Sequence, residues 1–108
     1  MAFAYTRRFA AAVVPTNLAT TVFTADDLHV YIIRDVILTN QSGADSFVVV
    51  NIILGTNTFT LMRQTVLAVG AQIHLETRQE MLPSEQLVVY APNAQLSILV
   101  TGYALDPQ

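Results

Sequence analysis

The chain has no lysine, no cysteine and no tryptophan, and few charges of either sign. Without cysteine neither a disulfide framework nor a thiolate metal site can form, so a small secreted domain would lack its usual covalent staple. The only cations besides histidine are five arginines, scattered along a chain of net charge −3. They make no basic stripe to neutralise phosphates, and nucleic acid is not an expected partner. Long apolar runs are also missing. The longest, Phe47 to Leu54, is interrupted by Asn51 and falls far short of the ~20 residues a membrane-crossing helix needs, so no membrane partner is expected. The opening segment faintly mimics an export signal with its Arg7-Arg8 pair. Its apolar stretch, Phe9 to Val14 before Pro15, is shorter than the ~7 to 15 residues of such signals.

What is present is apolar residues and turn signals. Hydrophobic residues make up 53% of the chain and charged ones 12%, against about 25% charged in typical soluble domains. Much of the polar remainder is Thr, Gln, Asn and Ser, which are easily desolvated, so the surface suits being covered by another protein. At 108 residues the chain is expected to build one core. Runs rich in Val, Ile, Thr, Phe and Tyr recur between turn signals at Asn40-Gln41-Ser42-Gly43, Gly55-Thr56-Asn57, Gly70-Ala71, Pro83-Ser84-Glu85 and Pro92-Asn93-Ala94. That spacing predicts an all-β, antiparallel two-sheet β-sandwich of about eight strands, jelly-roll or immunoglobulin-like. The predicted strands are Thr20 to Ala25, His29 to Thr39, Ser46 to Leu54, Thr58 to Met62, Thr65 to Val69, Gln72 to Thr77, Gln86 to Tyr90 and Leu96 to Ala104. Residues 1–15 are expected to form an N-terminal arm and 16–108 the sandwich domain.

Alternation along the strands separates wet faces from covered ones. In residues 72 to 77, Ile73 and Leu75 oppose Gln72, His74 and Glu76, which predicts one solvated face. The second and third strands are apolar on both sides. Tyr31, Ile33 and Ile37 oppose Val30, Ile32, Val36 and Leu38, and Phe47, Val49 and Ile53 oppose Val48, Val50, Ile52 and Leu54. A sandwich needs a core on its inner face only, so the surplus face is expected to meet another subunit or a partner protein.

Reactive constellations are sparse. The four serines include none in Gly-x-Ser-x-Gly, and no glycine-rich phosphate loop occurs, so the chain is read as not an enzyme. His74 and Glu76 share a strand face and could place an imidazole and a carboxylate on one metal, but the other histidine, His29, is remote in sequence. Asp26-Asp27 and Asp45 lack a calcium-loop pattern. No metal or other cofactor is therefore expected. Arg34-Asp35 interrupts the most apolar strand and should put one charge on each face, where each needs an ion-pair partner or a bulge that brings it to solvent. Tyr31, Tyr90 and Tyr103 offer a sugar-stacking platform as a secondary reading.

Three segments carry a family likeness: Arg34-Asp35-Val36-Ile37-Leu38-Thr39-Asn40-Gln41-Ser42-Gly43, then Gly70-Ala71-Gln72-Ile73-His74-Leu75 with Met81-Leu82-Pro83-Ser84-Glu85-Gln86-Leu87, and Val100-Thr101-Gly102-Tyr103. Over about residues 16 to 104 the chain resembles the small β-sandwich virion proteins of tailed bacteriophages, although Ser84 stands where that family usually has glycine. The resemblance implies a structural role in the virion but not which one; a small, acidic, single-domain sandwich with an arm is expected first as a capsid decoration protein and second as a neck or tail component, in a virion assembled in the host cytoplasm. The surplus apolar face around residues 30 to 38 and 46 to 54 makes other copies of the chain, as a trimer, the expected partners, and the resemblance adds the major capsid protein or other virion proteins. The residues expected at such interfaces are Phe3, Tyr5, Phe9, Tyr31, Ile33, Arg34, Asp35, Ile37, Phe47, Val49 and Ile53.

Overall fold

The computed structural model describes residues 4–105, without the side chains of residues 4–7, 64 and 65. Its elements are β1 (Ala4–Val14), β2 (Thr20–Thr24), β3 (Val30–Asn40), β4 (Ser46–Leu54), β5 (Asn57–Leu67), β6 (Gln72–Met81), β7 (Gln86–Tyr90) and β8 (Leu96–Leu105). They form two four-stranded antiparallel sheets, in the orders β1-β8-β3-β6 and β2-β7-β4-β5. This interleaving, in which neighbours in the chain fall in opposite sheets except at the β4–β5 hairpin, is the jelly roll and excludes the immunoglobulin alternative.

The all-β expectation holds, with two changes in the strands. Residues 58–62 and 65–69, expected as two strands, belong mainly to the single strand β5. The pairing of β4 with β5 is irregular between the Val48–Thr65 and Val50–Met62 pairs, and polar Arg63 and Gln64 at that point interrupt the apolar pattern. The expected arm is, over Ala4–Val14, an edge strand that pairs with β8. Its Val14 is fully buried and Ala10 nearly so. The alanine-rich stretch has weak strand propensity, and pairing with β8 overrides it.

The core lies between the sheets. Val36, Leu38, Val48, Val50, Leu87, Val89, Leu96 and Val100 have no measurable exposure, and each such side chain contributes roughly 1.5–3 kcal/mol by leaving water. Toward one end Phe9, Phe23 and Tyr31 pack as a trio, with Phe9 stacked on Phe23 at 5.0 Å and Tyr31 edge-on to both at 5.2 and 5.1 Å.

Asn40 organises the opposite end. Its side-chain amide, 1% exposed, donates to the carbonyls of Ala44 (2.8 Å) and Leu67 (3.0 Å), and its Oδ1 accepts from the Ser42 N–H at 3.1 Å. The Asn40 backbone pairs with Ala71 and Gly70, and Gln41 N–H donates to Gln95. The Thr-Asn-x-Ser-Gly segment thus ties three loops together, because a buried amide must satisfy all its hydrogen-bonding groups. In the turn before β7, Ser84 adopts φ 70°, a left-handed conformation that glycine takes up at lower cost.

β3 carries a bulge that resets its alternation. Pairing with both β6 and β8 shifts register between Ile33 and Asp35. Before the shift Tyr31 and Ile33 point inward; after it Val36 and Leu38 do. The backbones of β3 and β8 approach so closely here that a Cβ on Gly102 would lie 2.0 Å from the Ile32 carbonyl oxygen and 3.1 Å from the Arg34 nitrogen. Only glycine fits. Gly102→Ala is expected to destabilise the domain by about 3 kcal/mol or more in urea denaturation, whereas Gly43→Ala, whose Cβ would meet nothing within 4 Å, should change stability by less than ~1 kcal/mol.

At the β2–β3 turn Asp26 Oδ1 accepts the N–H groups of Leu28 (3.0 Å) and His29 (3.2 Å), while Oδ2 accepts the Tyr31 hydroxyl at 2.9 Å. Partial burial raises the Asp26 pKa, but the Tyr31 hydroxyl, the Leu28 N–H and His29 together outweigh it and hold the carboxyl below its ordinary 3.8. A depressed folded-state value means stability that is present above the unfolded value and lost as pH falls through the folded one. Asp26→Asn is therefore expected to flatten the stability–pH curve below about pH 4 and to leave the remaining acid dependence intact. Identical acid limbs in urea titrations of the two proteins would contradict the assignment.

Candidate functional site

The bulge turns both charges of the Arg34-Asp35 pair onto the outer face of the β1-β8-β3-β6 sheet, where one charge on each face was expected. The Arg34 guanidinium donates to the Tyr103 hydroxyl and lies 5.6 Å from the centre of that ring. Asp35 is directly opposite Glu76 in the β3–β6 register, and Ile37 is opposite His74. His74 and Glu76 are two apart on β6, hence on one face. Asp35 Oδ1 sits 2.8 Å from His74 Nε2, and Thr101 donates to Asp35 Oδ2 at 3.5 Å. Donor atoms of Asp35, His74 and Glu76 all lie within 4.8 Å of one another. Beside them a solvent-open hollow of about 440 Å³ is lined by Arg34, Asp35, Glu76, Thr77, Arg78, Thr101, Gly102 and Tyr103. Sequence reasoning found His74 and Glu76 but not their third partner. Asp35 is 39 residues away from His74, and only the bulge and strand register bring the two together.

The outer face of the β2-β7-β4-β5 sheet is different in kind. Phe47 pairs with Val66, Val49 with Tyr90, and Asn51 with Val88. Val66 is 70% exposed, while Phe47, Val49, Asn51, Ile53, Val88 and Tyr90 are half-buried among themselves. In the midst of this apolar surface Asn51 Oδ1 is shielded from water and accepts no hydrogen bond among the described residues, an arrangement that costs about 1–3 kcal/mol unless a donor is supplied.

The interface residues expected from sequence therefore divide. Phe47, Val49 and Ile53 lie on the outer face of one sheet, and Arg34, Asp35 and Ile37 on the outer face of the other. Tyr31 and Ile33 are 2% and 0% exposed and belong to the core, because uninterrupted alternation across β3 missed the bulge. Phe9 is turned into the aromatic trio. Phe3 and the side chain of Tyr5 lie outside the described residues. Tyr31, Tyr90 and Tyr103 do not share a face: Tyr31 is buried, Tyr103 lies on one outer face beside Arg34, and Tyr90 lies on the other, its hydroxyl donating to Asn17 Oδ1 at 2.7 Å.

Neither a protein-family profile nor a curated protein sequence matches the chain. Solved structures do. A chain in the structure of infectious bursal disease virus Gt strain superimposes with a TM-score of 0.63 at 10% identity, covering 97% of this chain and 33% of that one. A chain in the structure of the Gx strain of the same virus gives a TM-score of 0.58 at 10% identity over 97% of this chain and 32% of that one. The present chain thus spans about a third of the length of each of these virus chains, and what it shares with them is the fold.

Proposed function

We propose that the chain is a non-enzymatic virion structural protein, and specifically a capsid decoration protein that binds the assembled shell and reinforces it. The observation that carries this reading is the outer face of the β2-β7-β4-β5 sheet, where an apolar surface surrounds a shielded Asn51 Oδ1 that has no hydrogen-bond partner among the described residues. A covering protein buries the apolar side chains and can bring the missing donor. The jelly roll alone decides nothing, since it serves capsids, lectins and cupins alike. Its occurrence in chains of virus structures supports the virion over the other two. In this reading the covering surface belongs to another copy of the chain, in a trimer, or to the major capsid protein. The protein resides in the virion after assembly in the host cytoplasm. Many weak contacts repeated over a shell add up through multivalency.

Val66, at 70% exposure, can be changed without touching the core. Val66→Asp is expected to move melting by no more than ~0.5 kcal/mol equivalent while converting an oligomer to the 11.8 kDa monomer in light scattering. An unchanged oligomer would remove this face from self-association. In purified particles, quantitative mass spectrometry should count hundreds of copies of the chain. A handful of copies would replace decoration by a neck or tail role, and complete absence would end the virion reading.

A further inference from the structure

We propose that Asp35, His74 and Glu76 form a binding site for a divalent transition-metal ion of the zinc class on the outer face of the β1-β8-β3-β6 sheet. The three donors come from two neighbouring strands whose register fixes their spacing. Asp35 and Glu76 face each other across β3 and β6, and one donor atom from each of the three residues lies within 4.8 Å of the other two. Zinc held by these groups would sit roughly 2.0–2.2 Å from each, inside the space the three donors enclose.

The site has the chemistry of a metal centre as well as its geometry. Two carboxylates directly opposite each other on adjacent strands repel one another, and a dication between them converts that repulsion into attraction. One imidazole with two carboxylates favours a zinc-like ion over magnesium or calcium, which prefer all-oxygen sets. His74 Nε2 and Asp35 Oδ1 are hydrogen-bonded at 2.8 Å, so an ion entering between them takes the place of the shared proton and the two atoms move apart to the wider spacing of ligands on one metal. Thr101 lies beside the other oxygen of Asp35 at 3.5 Å, where a small movement would let it support a metal-bound carboxylate. Two guanidinium groups line the same hollow, Arg34, which donates to the Tyr103 hydroxyl, and Arg78, so the ion binds against their positive charge and relies on direct coordination by the three donors. All three ligands rise from one sheet, so the remaining coordination position faces away from it and is open to water or to an incoming donor, as in three-ligand zinc sites. The same bulge that orders β3 creates the site, because without it Asp35 would point into the core.

The test is calorimetric titration of the untagged, metal-stripped chain with zinc chloride, together with the visible spectrum of the cobalt(II) form. One equivalent of zinc should bind, melting should rise by about 5 °C or more at saturation, and cobalt should give d–d bands. His74→Ala and Glu76→Gln, both at exposed positions, should each weaken zinc binding at least tenfold while retaining the wild-type circular dichroism, and His29→Gln should bind as wild type. Absence of zinc binding by the wild type would overturn the proposal. Equal binding by His74→Ala or Glu76→Gln would do so too, as would loss of binding in His29→Gln.

Discussion

The structure depends most on the close passage of β8 against β3 at Gly102, where even a methyl group would collide with the Ile32 carbonyl. That approach accommodates the extra residue in β3, and the extra residue reverses which side chains face inward. Tyr31 and Ile33 enter the core on one side of it and Val36 and Leu38 on the other. The charged pair between them reaches solvent without a buried ion pair, whose desolvation is expensive. A strand that is apolar on both sides is therefore two half-strands of opposite phase joined at a bulge. Bulges commonly re-aim side chains in this way.

This explains how much could be read from the sequence. The regular strands were legible: β4 obeys strict alternation from Ser46 to Ile52, and β7 and β8 have the expected bounds within a residue or so. The turn at Asn40 was legible because a buried asparagine amide and its neighbours Ser42 and Gly43 carry local turn chemistry. The phase of β3 was not, since alternation assumes a constant period and Gly102, the residue that permits the change, lies far along the chain. β1 was hidden for a related reason. Its register with β8 shifts between Arg8 and Ala10, and small alanines leave little apolar contrast between its faces. The Asp35, His74 and Glu76 cluster was half legible, as the period of β6 shows two members and strand pairing supplies the third.

The two outer faces suggest a division of labour. One is charged and hydrogen-bonded, with a hollow floored by polar groups. The other is nearly uncharged and carries Phe47, Val49, Val66, Val88 and Tyr90 around a shielded carboxamide. Few charges, no lysine and an apolar second face are costly for an isolated domain and useful for one that is covered on assembly. The jelly roll suits such a role because its two sheets enclose a complete core, leaving both outer surfaces free to specialise.

In the proposed role the β2-β7-β4-β5 face is covered in a virus particle. A cryo-electron-microscopy reconstruction of particles carrying this chain tests it most directly. The expected result is jelly-roll density repeated over the head with Phe47, Val66 and Asn51 buried against a neighbouring protein, and a donor within hydrogen-bonding distance of Asn51 Oδ1. Density in which that face points into open solvent would contradict it.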